Sequence, residues 1–177
     1  MRINTQIKTL PRVLSFVEVK YYFFTAVFTL AAISLPWVLH KFSLAGPQFL
    51  PMHYFILIAG FLFGWRVGLV AAISSSLMSY GISHMPPLMI LPEVTLELAL
   101  YGAIIGILRE KNFGIWPSLL GAMIAGRLAR LLFVLVLGLK TNPMGYFQMS
   151  LTGTALQLIL IPFIVYGVQK FLLSKEI

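Results

Sequence analysis

Long apolar stretches, separated by short segments that carry Gly, Pro or charged residues, run along most of this chain. Four stretches are clearly bounded by such residues, at 21–39, 91–108, 115–139 and 149–172. Each has roughly the 17 to 25 residues that an α-helix needs to cross about 30 Å of hydrocarbon. The pattern therefore predicts a transmembrane helix in each of the four.

A further apolar stretch covers residues 51–83 and allows two interpretations. It forms either one long helix with Arg66 inside the membrane, or two shorter helices that turn at Gly64, Trp65 and Arg66. Gly commonly marks the end of a helix, but one Gly inside a helical pattern is also tolerated. The local pattern alone leaves both interpretations open.

The distribution of basic residues decides between them. Two helices give six crossings, and nine basic residues then share one side with both chain ends, whereas only Lys41 and Lys140 lie opposite. The nine are Arg2, Lys8, Arg12, Lys20, Arg66, Arg109, Lys111, Lys170 and Lys175. One helix gives five crossings and an even split, five against five. Because positive residues collect on the cytoplasmic side, we predict an all-α bundle of six transmembrane helices with both termini cytoplasmic.

Composition agrees with a multi-pass protein of the plasma membrane. Hydrophobic residues make up 59% of the 177 residues and charged residues 10%, and the mean hydropathy is +0.93. No polar linker interrupts the chain, so we expect one membrane domain at 21–172, a cytoplasmic or interfacial lead-in at 1–20 and a cytoplasmic tail at 173–177. The net charge of +8 is dispersed singly between apolar runs, which is typical of cytoplasmic loops and argues against nucleic-acid binding.

Four ionisable residues fall inside predicted helices: Glu93, Glu97, Arg127 and Arg130. A charge facing lipid near the bilayer centre costs at least about 2.5 to 3.5 kcal/mol, so these side chains must face protein, water or each other. Glu97 is expected to pair with Arg127 or Arg130. Such a pair either holds two helices together or forms part of a substrate-binding site, and both interpretations stay open.

Other polar side chains in the predicted outer half of the membrane favour a binding site. They are Tyr101 one turn along from Glu97, Gln157 in the last helix, His53 and Trp37 at helix ends, and His84 in the proline-rich loop 81–92. Pockets for small molecules are mostly apolar with a few converging polar groups. The histidines show no metal-ligand spacing, and we expect neither a metal nor a cofactor.

Motifs for catalysis are missing from the sequence. It has no cysteine, no HExxH, no GxSxG and no P-loop. We therefore expect no enzyme activity, and active transport would need a partner subunit that supplies the energy.

An ordered series of residues resembles the S components, the substrate-binding subunits of energy-coupling-factor (ECF) vitamin transporters. The series is Pro36, Trp37, His40, Pro51, His53, Gly60, Gly64, Gly68, His84, Pro86, Pro87, Glu97, Tyr101, Gly102, Gly106, Gly126, Arg127, Gln157 and Pro162. It spans roughly residues 36–162 and looks closest to the general branch that includes pantothenate and cobalamin carriers. The resemblance implies a six-helix bundle with a high-affinity outward-facing site for a vitamin or related micronutrient.

The resemblance also implies partners, namely a transmembrane coupling subunit (T component) and two cytoplasmic ATPases. Family members often dock the coupling subunit through an Ala-x-x-x-Ala motif on the first helix. This chain lacks that motif, and Thr25, Ala26 and Thr29 are the corresponding small residues. For the substrate, the resemblance favours pantothenate-like or cobalamin-like cargo, with Arg127 or Arg130 bonding a carboxylate or amide.

Two alternatives come from other functional classes. A membrane scaffold of the MreD-like type has similar length and helix number and need not bind a solute. An intramembrane hydrolase would use Glu93 and Glu97, but it needs a metal or a base close to them, and no histidine is predicted deep enough in the membrane.

Overall fold

The computed structural model describes residues 13–41, 49–139 and 142–174, and helices are the regular secondary structure of this part. They are α1 (Val19–Lys41), α2 (Pro51–Phe63), α3 (Trp65–Ser83), α4 (Leu91–Glu110), α5 (Ile115–Val136), α6 (Pro143–Met149) and α7 (Leu151–Ser174). The all-α prediction is thus confirmed. Most of the predicted lead-in, residues 1–12, and residues 175–177 of the predicted tail lie outside the described residues.

The apolar stretch 51–83 is divided into two helices at Gly64. This residue has φ 92°, a backbone conformation that residues with a Cβ rarely adopt. α2 and α3 then pack against each other so closely that a Cβ on Gly68 would lie 2.8 Å from the Cα of Gly60. The helix break favoured by the charge count is confirmed, while the number of membrane crossings remains a prediction.

α4 is the central helix and contacts α2, α3 and α5. Glycines allow the first two contacts, because a Cβ on Gly60 or Gly68 would lie 2.5 or 2.6 Å from the carbonyl oxygen of Gly102. One helical turn further along α4, a Cβ on Gly106 would overlap the main chain of Trp65. These glycines therefore allow α2, α3 and α4 to pack closely together.

Contacts between helix ends define two ends of the bundle. At the basal end, the N–H of Leu14 donates to the carbonyl oxygen of Phe63 at 3.2 Å, and the rings of Phe24 and Phe63 stack at 4.0 Å. The N–H of Trp65 meets Glu110 Oε1 there at 3.3 Å. The distal end is opposite, where α1 ends and α2 begins.

Four of the helices are long and apolar enough to cross a membrane, namely α1, α4, α5 and α7, and α2 is a shorter apolar helix. These four correspond to the four clearly bounded stretches of the sequence. The boundaries agree with the prediction to within two residues, except that α5 ends at Val136, three residues earlier than expected. A separate short helix, α6, precedes the last predicted stretch.

Candidate functional site

Arg130 of α5 lies between two carboxylates of α4. Its Nη1 donates to Glu97 Oε2 at 2.9 Å and its Nη2 donates to Glu93 Oε1 at 3.0 Å. The exposed fractions of Glu93, Glu97 and Arg130 are 1%, 0% and 5%. These three residues, called the charge cluster below, therefore form a buried network of charge-assisted hydrogen bonds between α4 and α5.

The geometry of two antiparallel helices brings the cluster together. Glu93, Glu97 and Tyr101 follow each other at four-residue steps and so share one face of α4. The hydroxyl of Tyr101 donates to Glu97 Oε1 at 3.1 Å. Gly126 of α5 makes room for this arrangement, because a Cβ there would overlap the Tyr101 ring. The tyrosine thereby fixes the carboxylate that Arg130 binds.

Arg127 makes a different set of contacts. Its Nη1 donates to Ser150 Oγ at 2.7 Å and its Nη2 donates to Thr154 Oγ1 at 2.6 Å, while its guanidinium lies 5.3 Å from the centroid of the Phe147 ring. Ser150 and Thr154 are four residues apart and face the same way at the start of α7. Arg127 therefore ties α5 to the beginning of α7.

A cavity of about 230 Å³ opens beside both arginines. Glu97, Arg127 and Arg130 form its charged wall, and Leu128, Leu131, Met144 and Phe147 form the rest. Because Met144 and Phe147 belong to α6, we call it the α5–α6 cavity. It combines an apolar lining with a few fixed polar groups, as small-molecule sites do.

A larger cavity of about 760 Å³, the distal cavity, lies among the distal ends of α1 to α4. Its lining is mostly apolar and includes Trp37, Met85, Pro86 and Pro87, so part of the proline-rich loop forms one wall. His53 also lines it. The predicted binding residues are thus distributed over two neighbouring cavities.

His53 lies between the two cavities. It is 2% exposed, its Nε2 is 3.9 Å from Glu97 Oε2, and its ring meets the Tyr101 ring edge-on at 5.3 Å. A separation of 3.9 Å is too long for a hydrogen bond, and neither ring nitrogen has a hydrogen-bond partner within the described part of the chain. His53 therefore lies between the distal cavity, which it lines, and the charge cluster.

The structure brings most, but not all, of the predicted binding residues together. Glu97, Arg127, Arg130, Tyr101 and His53 are neighbours, and Trp37 lies on the far wall of the distal cavity.

Two predicted binding residues line neither cavity. His84 is exposed at the end of α3, where it adopts φ 54° and packs against Tyr80. Gln157 is fully buried in α7, and its amide has no hydrogen-bond partner among the described residues.

Sequence reasoning did not assign four residues to the site. The sequence singles out Glu93 as an ionisable residue inside a helix but gives it a role only in the hydrolase alternative, and it does not single out Ser150, Thr154 or Phe147. The signal for Glu93 was available, since it stands one turn from Glu97. For the other three the signal was weak, because serine, threonine and phenylalanine are common in membrane helices.

The three small residues predicted for docking on α1 do not share one surface. Thr25 and Thr29 are buried, with exposed fractions of 9% and 4%, and Thr25 Oγ1 donates to the carbonyl oxygen of Tyr21 at 2.8 Å. Ala26 is exposed between the larger exposed side chains of Tyr22 and Leu30. Of the three, Ala26 is therefore the residue that a partner can contact directly.

Comparison with known proteins gives one match. Residues 20–174 match the family model described as ECF transporter, substrate-specific component. No curated protein matches the chain, and no solved structure matches it.

Proposed function

Because this chain belongs to the substrate-specific components of ECF transporters, we propose that it binds a vitamin or related micronutrient in the distal half of its helix bundle. Members of this family are multi-pass plasma membrane subunits that bind substrate for an importer and are not enzymes. Family membership also implies a T component and ATPases as partners. The identity of the substrate and the position of its site belong to the proposal.

The charge cluster beside the α5–α6 cavity carries the proposal. Buried ionised groups in a membrane are costly and mark functional sites by default. Glu97 and Arg130 lie in the buried network and also line the cavity, and Arg127 faces the same space. A ligand there would meet side chains that hydrogen bonds already hold in place, which reduces the ordering cost of binding.

The same proposal includes six crossings with both chain ends in the cytoplasm. Arg66 and Arg109 lie at the basal end, where Arg66 stands 5.0 Å from the Trp65 ring and Arg109 stands 5.7 Å from the Phe61 ring. Basic residues beside aromatic rings are typical of a cytoplasmic membrane interface. With the basal end inside, both cavities would lie in the outer half of the membrane.

We place the docking contact for the coupling subunit on the exposed face of α1 around Ala26. Exchanging Ala26 for Trp should reduce co-purification with a coexpressed T component and leave ligand binding unchanged, because the residue is far from both cavities. The matched control is Gly167→Trp on α7, where an added Cβ would meet no described atom within 4 Å apart from the neighbouring backbone of its own helix. Full assembly of the Ala26 variant would remove this face from the proposal.

A thermal-shift screen of the detergent-purified protein against B vitamins and related micronutrients tests the proposed function. A true ligand at about 100 times its Kd should stabilise the protein by about 2.7 kcal/mol. Arg127→Ala should weaken binding of that ligand by about 1 kcal/mol or more, since it removes a charged hydrogen-bond donor from the cavity wall. Stabilisation by none of the compounds, together with no co-purified small molecule, would favour the scaffold alternative.

A further inference from the structure

Arg127 and Arg130, the two arginines that line the α5–α6 cavity, differ in the charge of their partners. Arg130 binds two carboxylates, whereas Arg127 donates to the hydroxyls of Ser150 and Thr154. No carboxylate of the described residues lies within salt-bridge distance of Arg127. Arg127 is therefore a cation on the cavity wall whose direct partners are neutral.

The two hydroxyls orient Arg127 without neutralising it. Ser150 Oγ donates its own proton to the carbonyl oxygen of Phe147 at 3.0 Å, and Thr154 Oγ1 donates to that of Ser150 at 2.8 Å. Their lone pairs are thereby left to accept from the guanidinium. Two of its N–H groups are engaged in this way, and a guanidinium has further N–H groups for a ligand.

Glu97 is held away from Arg127 by its other partners. Arg130 engages its Oε2 and Tyr101 engages its Oε1. Both Glu97 and Arg127 line the α5–α6 cavity, so a ligand there meets a fixed negative charge and a fixed positive charge. An anionic group can bind only on the Arg127 side, because Glu97 would repel it.

Resting on the proposed function, we infer that the substrate is a compact carboxylate whose carboxylate group binds Arg127. The planar guanidinium matches a carboxylate with two parallel hydrogen bonds. Leu128, Leu131, Met144 and Phe147 provide an apolar surface for the rest of the molecule. The volume of about 230 Å³ lies below the roughly 300 to 1,000 Å³ of pockets for drug-sized ligands, so a large ring system does not fit.

Matched pairs of an acid and its neutral analogue test this inference directly. The pairs are pantothenate and panthenol, nicotinate and nicotinamide, biotin and biotinamide, and lipoate and lipoamide. Titration calorimetry on the purified protein should find one acid that binds at least about 100-fold more tightly than its neutral partner, because the neutral form leaves the Arg127 cation without an anionic partner.

Variants of Arg127 test whether the preference for the acid over its neutral analogue depends on this residue. Arg127→Gln should abolish the preference for the acid, and Arg127→Lys should retain part of it, since lysine keeps the charge but loses the planar fork. Arg66→Gln, the same exchange at the basal end, should leave the preference unchanged. If Arg127→Gln binds the acid as tightly as the unaltered protein does, the inference is wrong.

A second experiment distinguishes failure of this inference from failure of the proposed function. The protein is purified from cells grown in rich medium, and any small molecule that it releases is identified by mass spectrometry. A released carboxylate that is lost in Arg127→Gln supports the inference. A neutral or cationic compound that binds saturably would overturn the inference and leave the proposed function standing. No released ligand and no binding in the whole panel would overturn both.

Discussion

Arg130 is the residue on which the buried part of the site depends most. It donates to Glu93 and Glu97 at once, and all three side chains are almost completely buried. Removing one member of a buried ion pair costs about 3–5 kcal/mol because the remaining charge has no partner. We therefore expect Arg130→Met to lower the midpoint of thermal unfolding in detergent strongly, with or without ligand.

A charge-free version of the cluster is the matched control for this prediction. Combining Arg130→Met with Glu93→Gln and Glu97→Gln removes all three charges, and replacement of a complete buried network is often nearly neutral. The triple variant should therefore regain most of the stability that Arg130→Met loses. An unchanged unfolding midpoint in Arg130→Met would show that the two glutamates are satisfied in another way.

The identity of the paired arginine could not be predicted from the sequence. The free-energy cost of an unpaired charge in the membrane predicts that Glu97 pairs with Arg127 or Arg130. The structure shows that the partner is Arg130. Choosing between them needs the rotation of α5 about its axis. In a soluble helix the apolar face fixes this rotation, but lipid is as apolar as the interior of the bundle, so a membrane helix lacks that signal. The burial of Thr25 and Thr29 could not be predicted for the same reason.

At the scale of helices, the contact among α2, α3 and α4 follows from the sequence more directly. Gly60, Gly64 and Gly68 stand four residues apart in the sequence, as do Gly102 and Gly106, and the main chains of Gly60, Gly68 and Gly102 meet. Glycine spacing is informative in a membrane because association there depends on close van der Waals packing. The short helix α6 was not predicted, since seven residues hold too few turns for a periodic pattern.

Gly102 should tolerate no side chain at this contact. A Cβ there would overlap the main chain of Gly68, so Gly102→Ala must push α3 and α4 apart. Overpacking of this kind costs about 1–3 kcal/mol, and we expect a lower unfolding midpoint for the purified variant.

Gly81→Ala on α3 is the control, because apart from the neighbouring backbone of its own helix no described atom lies within 4 Å of the new Cβ. Its stability should be unchanged or slightly higher, since alanine is the better helix former. Equal midpoints for Gly102→Ala and Gly81→Ala would contradict the close contact.

At the scale of the whole molecule, the two ends of the bundle differ in chemistry. The basal end holds Arg66, Arg109 and Glu110 beside aromatic rings, and the distal end holds a large apolar cavity under the proline-rich loop. This division matches the charge count made on the sequence. It follows physically from a chain that reverses direction at Gly64, because that reversal brings Arg66 and Arg109 to the same end.

The absence of cysteine allows the orientation to be measured with single-cysteine variants on a background without reactive thiols. Val17 and Lys111 are exposed at the basal end, and Leu88 is exposed in the loop between α3 and α4. With six crossings, a membrane-impermeant maleimide should label Leu88→Cys on intact cells and should label Val17→Cys and Lys111→Cys only after permeabilisation. With five crossings, Lys111→Cys and Val17→Cys would react on opposite sides. Labelling of both on intact cells, with Leu88→Cys protected, would instead place the basal end outside and reverse the proposed direction of transport.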